Sequence, residues 1–205
     1  MNNSKSAPPE KFKGEEVNQA LKRLAENMEI TECPALKIVV CGGAALNVLG
    51  LVTRPTSDID VLGTTEEGRI ERPRFPEKFK QVIKEMSEES GYRKDWINTG
   101  PSMLIEYLPE GLTDRLTHKS YGNKLDVYFL SRRDQIFFKM YASVNKGGYH
   151  YNDLQQLNPS AQEARESAAW TFYKIPKQIP LEETKQQLKQ VLEGLGYNEL
   201  IKEFE

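Results

Sequence analysis

Two acids one position apart, Asp58 and Asp60 in Ser57-Asp58-Ile59-Asp60-Val61, are the residues whose types and spacing point most directly to chemistry. If the segment is a strand, alternation sends Asp58 and Asp60 to one face while Ile59 and Val61 enter the core. Carboxylates sharing a face repel each other, and nothing in the local pattern neutralises them. A divalent cation would relieve that repulsion, and oxygen donors suit Mg²⁺ or Mn²⁺. By itself the pair reads equally well as two acids in a turn or at a helix N-cap. Upstream, Gly42-Gly43 closes an apolar run. A strand that ends in two glycines and turns into a helix aims backbone N–H groups along the positive end of the helix dipole. Phosphate binds such a place, and the missing side chains let it approach. Alone, this too reads as a tight turn. The chain has neither the G-K-[ST] of a P-loop nor the G-x-G-x-x-G of a dinucleotide fold. The combination is what matters: a Gly-Gly turn, a short helix and an Asp-x-Asp strand set a triphosphate cradle beside a metal pair.

Gly42-Gly43-Ala44-Ala45 through Thr56-Ser57-Asp58-Ile59-Asp60 resembles the signature of the nucleotidyltransferase superfamily that includes DNA polymerase beta. Within it, the segment is most similar to the minimal bacterial branch, the uncharacterised DUF6036-like domains related to AbiE-type toxins. The resemblance implies that Gly42, Gly43, Thr56 and Ser57 meet the nucleotide phosphates and that Asp58 and Asp60 bind Mg²⁺. The wider superfamily adds a third carboxylate from a later strand, for which Asp126 in Lys124-Leu125-Asp126-Val127-Tyr128-Phe129 is the candidate, as metal ligand or base. A lone acid in a strand is as often a solvated edge residue. Lys139-Met140-Tyr141-Ala142 resembles the branch's K-x-x-A helix, whose lysine contacts phosphate, and Asp153-Leu154-Gln155-Gln156-Leu157 its D-L-x-x-L segment, whose acid supports catalysis. Lys139 falls off the stripe of Ile136, Met140 and Val144, so it can reach a cleft; Asp153 can also be an N-cap of its own helix. The branch has a basic residue shortly before that acid, where this chain has Tyr149-His150-Tyr151-Asn152. The resemblance spans residues 38–157.

The elements that must position these residues follow from periodicity. Residues 1–14 read as a polar leader. Val17, Leu21, Leu24 and Met28 predict an amphipathic helix, and Leu36 to Cys41 a buried strand. A short helix over 44–51 and a strand over 57–62 come next. Residues 66–74 read as an exposed loop, and Phe79, Val82, Ile83 and Met86 as a helix stopped by Gly91. Short strands are expected between Lys94 and Leu112, then a hairpin of 115–120 and 124–130 about Tyr121-Gly122-Asn123. Ile136 to Val144 predicts a helix ending at Gly147-Gly148, and helical pieces follow around 153–157, 161–172, 181–195 and 198–204. The expected class is α+β: a nucleotidyltransferase domain over 15–157, with a small mixed sheet flanked by helices, and a helical C-terminal extension over 158–205.

Composition narrows the remaining choices. With 38% hydrophobic and 28% charged residues the chain is globular in type, and a net charge of −2 excludes a strongly basic nucleic-acid coat. Cys33 and Cys41 are too few for a disulfide framework and read as reduced thiols. No apolar run reaches membrane-span length and no signal peptide is legible, so a cytoplasmic protein with no membrane partner is expected. Between Arg115 and Lys146, seven basic residues stand against two acids, a net +5, with tyrosines among them. Such a face suits RNA, and suits an ordinary solvated surface as well. The relatives it resembles are thought to modify the acceptor end of tRNA, with an antitoxin as partner. Three readings stay open: nucleotide transfer from a nucleoside triphosphate to RNA, transfer to a small molecule or a protein, and a non-catalytic module that kept the fold.

Overall fold

The apolar run Leu36–Cys41 becomes the central strand of a six-stranded mixed sheet, and the other elements arrange themselves about it. The computed structural model describes residues 11–66 and 68–205. In chain order the elements are α1 (Gly14–Ile30), β1 (Leu36–Cys41), α2 (Gly42–Val48), β2 (Ile59–Glu66), β3 (Arg69–Glu71), α3 (Glu77–Ser90), β4 (Ile97–Asn98), β5 (Thr117–Ser120) and β6 (Leu125–Phe129). Helices alone follow: α4 (Arg132–Lys146), α5 (Tyr149–Leu157), α6 (Ala161–Ala169), a π-helical turn (Trp170–Lys174), α7 (Leu181–Gly194) and a closing 3-10 turn (Asn198–Glu203). The sheet order is β3-β2-β1-β6-β5, with β4 alongside β2. β1 runs antiparallel to β2 and parallel to β6. This is the α+β architecture the periodicity predicts.

Both faces of β1 are covered from Ile38 onward, which is why Ile38 to Cys41 is a continuous apolar run rather than an alternating one. Ile38 and Val40 face a core built with α1 and α3, through Leu21, Leu24, Phe79 and Val82 among others. Val39 and Cys41 face the opposite core, where Phe137, Phe138 and Tyr141 of α4 meet Leu62 and Trp170. A third core joins Leu46 of α2 and Ile136, Met140 and Val144 of α4 to α5, α6 and α7. α4 therefore serves two cores from two sides. Its start is fixed by Ser131, whose hydroxyl accepts the Asp134 N–H at 3.3 Å. β2 carries a bulge opposite Val39–Val40, after which Ile59 and Val61 face the first core while Asp60 turns away, across from Cys41.

Three expectations are revised. Residues 66–74 are not simply a loop: Arg69–Glu71 folds back as β3 and pairs with Thr64–Glu66, drawing Ile70 into partial cover. Only Ile97–Asn98 forms a strand between Lys94 and Leu112; the rest winds into 3-10 turns at Gly100–Tyr107 and Leu112–Arg115, where Pro101, Pro109 and the glycines deny strand pairing. Residues 1–10 of the expected leader lie outside the described residues, and Phe12 is no leader residue. It is buried, pairs its backbone with Thr56 at 2.6 and 2.8 Å, and packs its ring on Tyr92 and Trp96 at 4.8 and 6.1 Å. An isolated aromatic among polar residues was the only sign of this.

Phe12→Ala is expected to cost about 3–5 kcal/mol of unfolding free energy, read from urea denaturation, because it empties a filled aromatic site. A loss below 1 kcal/mol would show that the segment before α1 contributes nothing to the fold.

Candidate active site

The carboxyl end of β1, the first residues of β2 and the middle of α4 converge on one cleft. β2 begins at Ile59, so Asp60 is held by the sheet and Asp58 by the loop before it. Both line the same two connected hollows, one of about 540 Å³ and one of about 240 Å³, together with Lys139, Tyr149 and His150. Thr56 donates to Asp58 Oδ1 at 3.1 Å, and Asn98 of β4 donates to Asp60 Oδ1 at 3.0 Å. Burial, and then the Asp58 charge, push the Asp60 carboxyl above the usual carboxylate range, against the opposing pull of Asn98 and Lys139. The two acids do not share one strand face, since Asp58 precedes β2, but both line one cleft, and the Asp58 charge raises the Asp60 pKa.

Asp153 is the anchor of the opposite wall. It is 0% exposed and accepts from Arg54 Nε at Oδ1 and Nη2 at Oδ2, at 2.5 and 2.6 Å, while Lys139 Nζ lies 2.7 Å from the same Oδ2. Burial alone would raise its pKa; the Arg54 hydrogen bonds and the Lys139 charge outweigh that and hold the carboxyl below its ordinary value. Asp153 is not the N-cap of α5, which starts at Tyr149, four residues earlier. Lys139 is likewise buried rather than off in solvent. The Tyr149 ring, 54% exposed, roofs these cations, with Arg54 at 4.5 Å and Lys139 at 5.9 Å. His150 beside it is kept neutral: burial, then the Lys139 and Lys146 charges, lower its pKa to about 4.

The glycines have contacts of their own within the protein. Gly42 has φ +69°, and a Cβ there would run into the Asp60 carboxylate; its N–H donates to Gln135 Oε1 of α4 at 3.2 Å. A Cβ on Gly43 would stand 2.6 Å from Thr56 Oγ1. The missing side chains thus make room for Asp60 and Thr56, the Gly42 N–H is engaged by Gln135, and Gly42 and Gly43 each line one of the two hollows. Thr56 is buried with its hydroxyl on Asp58, so it supports the acid and leaves Ser57 as the loop side chain that faces the smaller hollow.

Asp126 is not brought to this cleft. β6 pairs it with Lys37, whereas Asp60 pairs with Cys41, four residues further along β1 and so about 13 Å away at strand rise. Its carboxylate meets His118 Nε2 at 2.8 Å, on the exposed outer strands. The parallel run of β6 places its far end, not its start, at the cleft. Among the described residues no group of three or more His, Cys, Asp or Glu side chains forms a metal cage. The basic stretch is also largely spoken for: Arg115 pairs with buried Asp134 at 2.6 Å, Arg132 with Glu163 at 2.7 Å and Arg133 with Glu166 at 2.5 Å. Those arginines pin α4 to its neighbours.

Sequence reading passed over Arg54 and Arg93. Arg93 lines the smaller hollow, 3.5 Å from Ser57 Oγ and paired with Asp95. A signal for Arg54 existed: an acid beside Leu154 and Leu157, with no basic residue just before it, needs a cation from elsewhere in the chain.

An α+β sheet with a glycine turn, an Asp-x-Asp edge and a lysine on the facing helix defines a protein of the nucleotidyltransferase type. The chain belongs to a family described as nucleotidyltransferases of unknown function (DUF6036), whose profile matches residues 19–156. Searches of curated proteins and of solved structures found no match. No described helix is long and apolar enough to cross a membrane.

Asp153→Asn should lower stability at pH 7 by about 3–5 kcal/mol, since Arg54 and Lys139 would be left facing a neutral group. Because the folded pKa of Asp153 is depressed, its contribution is complete above the unfolded carboxylate pKa near 3.9 and fades as pH falls through the lower folded value. The gap between wild type and variant in urea denaturation should therefore close in strong acid; a gap independent of pH would contradict the ion triad.

Proposed function

We propose that this chain is a metal-dependent nucleotidyltransferase that transfers a nucleotide from a nucleoside triphosphate to an acceptor hydroxyl, with Asp58 and Asp60 holding Mg²⁺ or Mn²⁺. The observation that carries the reading is the pairing of those two acids in one cleft with Lys139, in a chain of nucleotidyltransferase family. The donor set fits the ion: Mg²⁺ takes one or two carboxylates and completes its shell with water and substrate phosphate, so a third protein acid is dispensable. When bound, the ion would neutralise phosphate charge that the two carboxylates otherwise repel. Lys139 and Arg54, held by Asp153, and Arg93 at the rim supply the cationic side of the phosphate path, and Ser57 a hydroxyl donor. Gly42, Gly43 and Thr56 line the hollows and also set the positions of Asp60 and Asp58. The work of these side chains is alignment and charge stabilisation, as expected where the bond from acceptor oxygen to α-phosphorus forms while pyrophosphate departs.

For the acceptor, the intramolecular pairing of Arg115, Arg132 and Arg133 favours a small molecule or protein over tRNA. A tRNA acceptor and an antitoxin partner rest on resemblance to the AbiE-type toxins alone.

Incubation with each labelled nucleoside triphosphate, Mg²⁺ and separate pools of tRNA, protein and small metabolites should label one pool, and Asp58→Asn/Asp60→Asn should abolish the label. Calorimetry should show Mn²⁺ binding by wild type and none by that double variant. Equal affinity in both, with the variant folded, would sink the metal assignment. Without metal, Asp60→Asn should melt higher than wild type at neutral pH, because the raised pKa means that the ionised form destabilises the fold. The gain is roughly 2–4 °C for each kcal/mol relieved.

A further inference from the structure

The two hollows that meet at Asp58 and Asp60 differ in chemistry. The smaller, about 240 Å³, is bordered by Arg54, Arg93, Lys139, Lys11 and Ser57, a setting for phosphate. The larger, about 540 Å³, has apolar walls from Leu104, Phe138, Tyr141 and Ile179, with the amides of Asn98 and Gln178 and the cations Lys139 and Lys146 completing its lining. Triphosphate oxygens set against those apolar walls would lose water without gaining partners, whereas Lys139, which both hollows share, stands with Arg54 and Arg93 in the smaller one. A flat heteroaromatic ring gains there on both counts, burying its faces and meeting amides with its edges. The volume is also in the range of pockets for molecules of nucleoside size or more.

Gln178 and Ile179 are the informative members. They belong to the segment between the π-helical turn and α7, beyond the residues 19–156 that the family profile matches. That segment is brought over the cleft by its own neighbours: Ile175 is buried in the core that holds Leu104, Phe138 and Trp170, and Thr184 at the start of α7 is buried too. Gln178 itself is exposed and, among the described residues, its side chain bonds only to the nearby Pro176 carbonyl, at 3.5 Å, so its amide is available to a ligand. The lining of the larger hollow thus includes a piece of chain that lies outside the residues the family profile matches.

We infer that the larger hollow takes the nucleobase of the nucleoside triphosphate, and that Gln178 and Ile179 of the C-terminal segment are specificity-determining residues for it. The inference rests on the nucleotide-transfer reading above. Phosphate recognition lies with the family segment, whereas base selection lies with the wall added after it.

Isothermal calorimetry with Mg²⁺ present separates the two parts, using the full chain, the four ribonucleoside triphosphates and inorganic tripolyphosphate. Wild type should bind one triphosphate more tightly than the others and all more tightly than tripolyphosphate. Gln178→Ala and Ile179→Ala lie at the surface and leave the ion triad intact. Each should weaken the preferred nucleotide about three- to thirtyfold, or level the ranking among bases, with tripolyphosphate affinity unchanged. Unchanged nucleotide affinities and ranking in both variants would overturn the inference while leaving nucleotide transfer standing. A parallel loss for tripolyphosphate would overturn it as well, since the wall would then act on phosphate. If wild type binds neither nucleotide nor tripolyphosphate, the nucleotide-transfer reading fails and this assignment with it.

Discussion

A single buried carboxylate, Asp153, sets the geometry on which the cleft depends. A charge fully withdrawn from water must be paired, and this one is paired twice, by a loop arginine and by a helix lysine. Arg54 belongs to the stretch that leads into Asp58, and Lys139 to the helix that closes the opposite wall, so the triad ties the metal-facing loop to α4 and α5. The arrangement leaves two cations close to the acids without letting either cation neutralise them directly. Asp58 and Asp60 accept from Thr56 and Asn98 but have no cation of the protein bonded to them among the described residues, while Arg54 and Lys139 are held in place by Asp153.

The glycines illustrate how a signature can be right in place and different in reason. Gly42 and Gly43 stand where the sheet hands over to α2, as their spacing foretells, but what they accommodate is protein: the Asp60 carboxylate and the Thr56 hydroxyl. Substituting them would damage the acid pair from behind. Phe12 extends the same logic outward, since its backbone pairing with Thr56 supports the residue that in turn supports Asp58.

Much of the fold was legible because period and burial agree. β1, α1, α3, α4 and the β5–β6 hairpin were all visible as apolar spacing bounded by Gly, Pro or polar turns, and Asp58, Asp60, Lys139 and Asp153 were visible as a recurring constellation. The misses have physical causes. The span from Lys94 to Leu112 has neither a 2.0 nor a 3.6 period, because 3-10 turns bury residues irregularly. Asp126 could be placed on a strand but not at an end of it, since the register of β6 on β1 is a tertiary fact. Arg115, Arg132 and Arg133 read as one basic face and Arg54 stood outside every motif; which acids they would meet, across 19 to 99 residues of sequence, is decided only by packing.

α4 gives Phe137, Phe138 and Tyr141 to the sheet and Ile136, Met140 and Val144 to the helices that follow. A helix so shared cannot melt on one side only. The catalytic segment and the C-terminal helices are therefore one cooperative unit in thermodynamic terms, although the family profile stops at residue 156. Cutting the chain where the profile ends would expose one side of the helix that carries Lys139, so the smallest piece able to hold the cleft in shape is longer than the piece that carries the motifs.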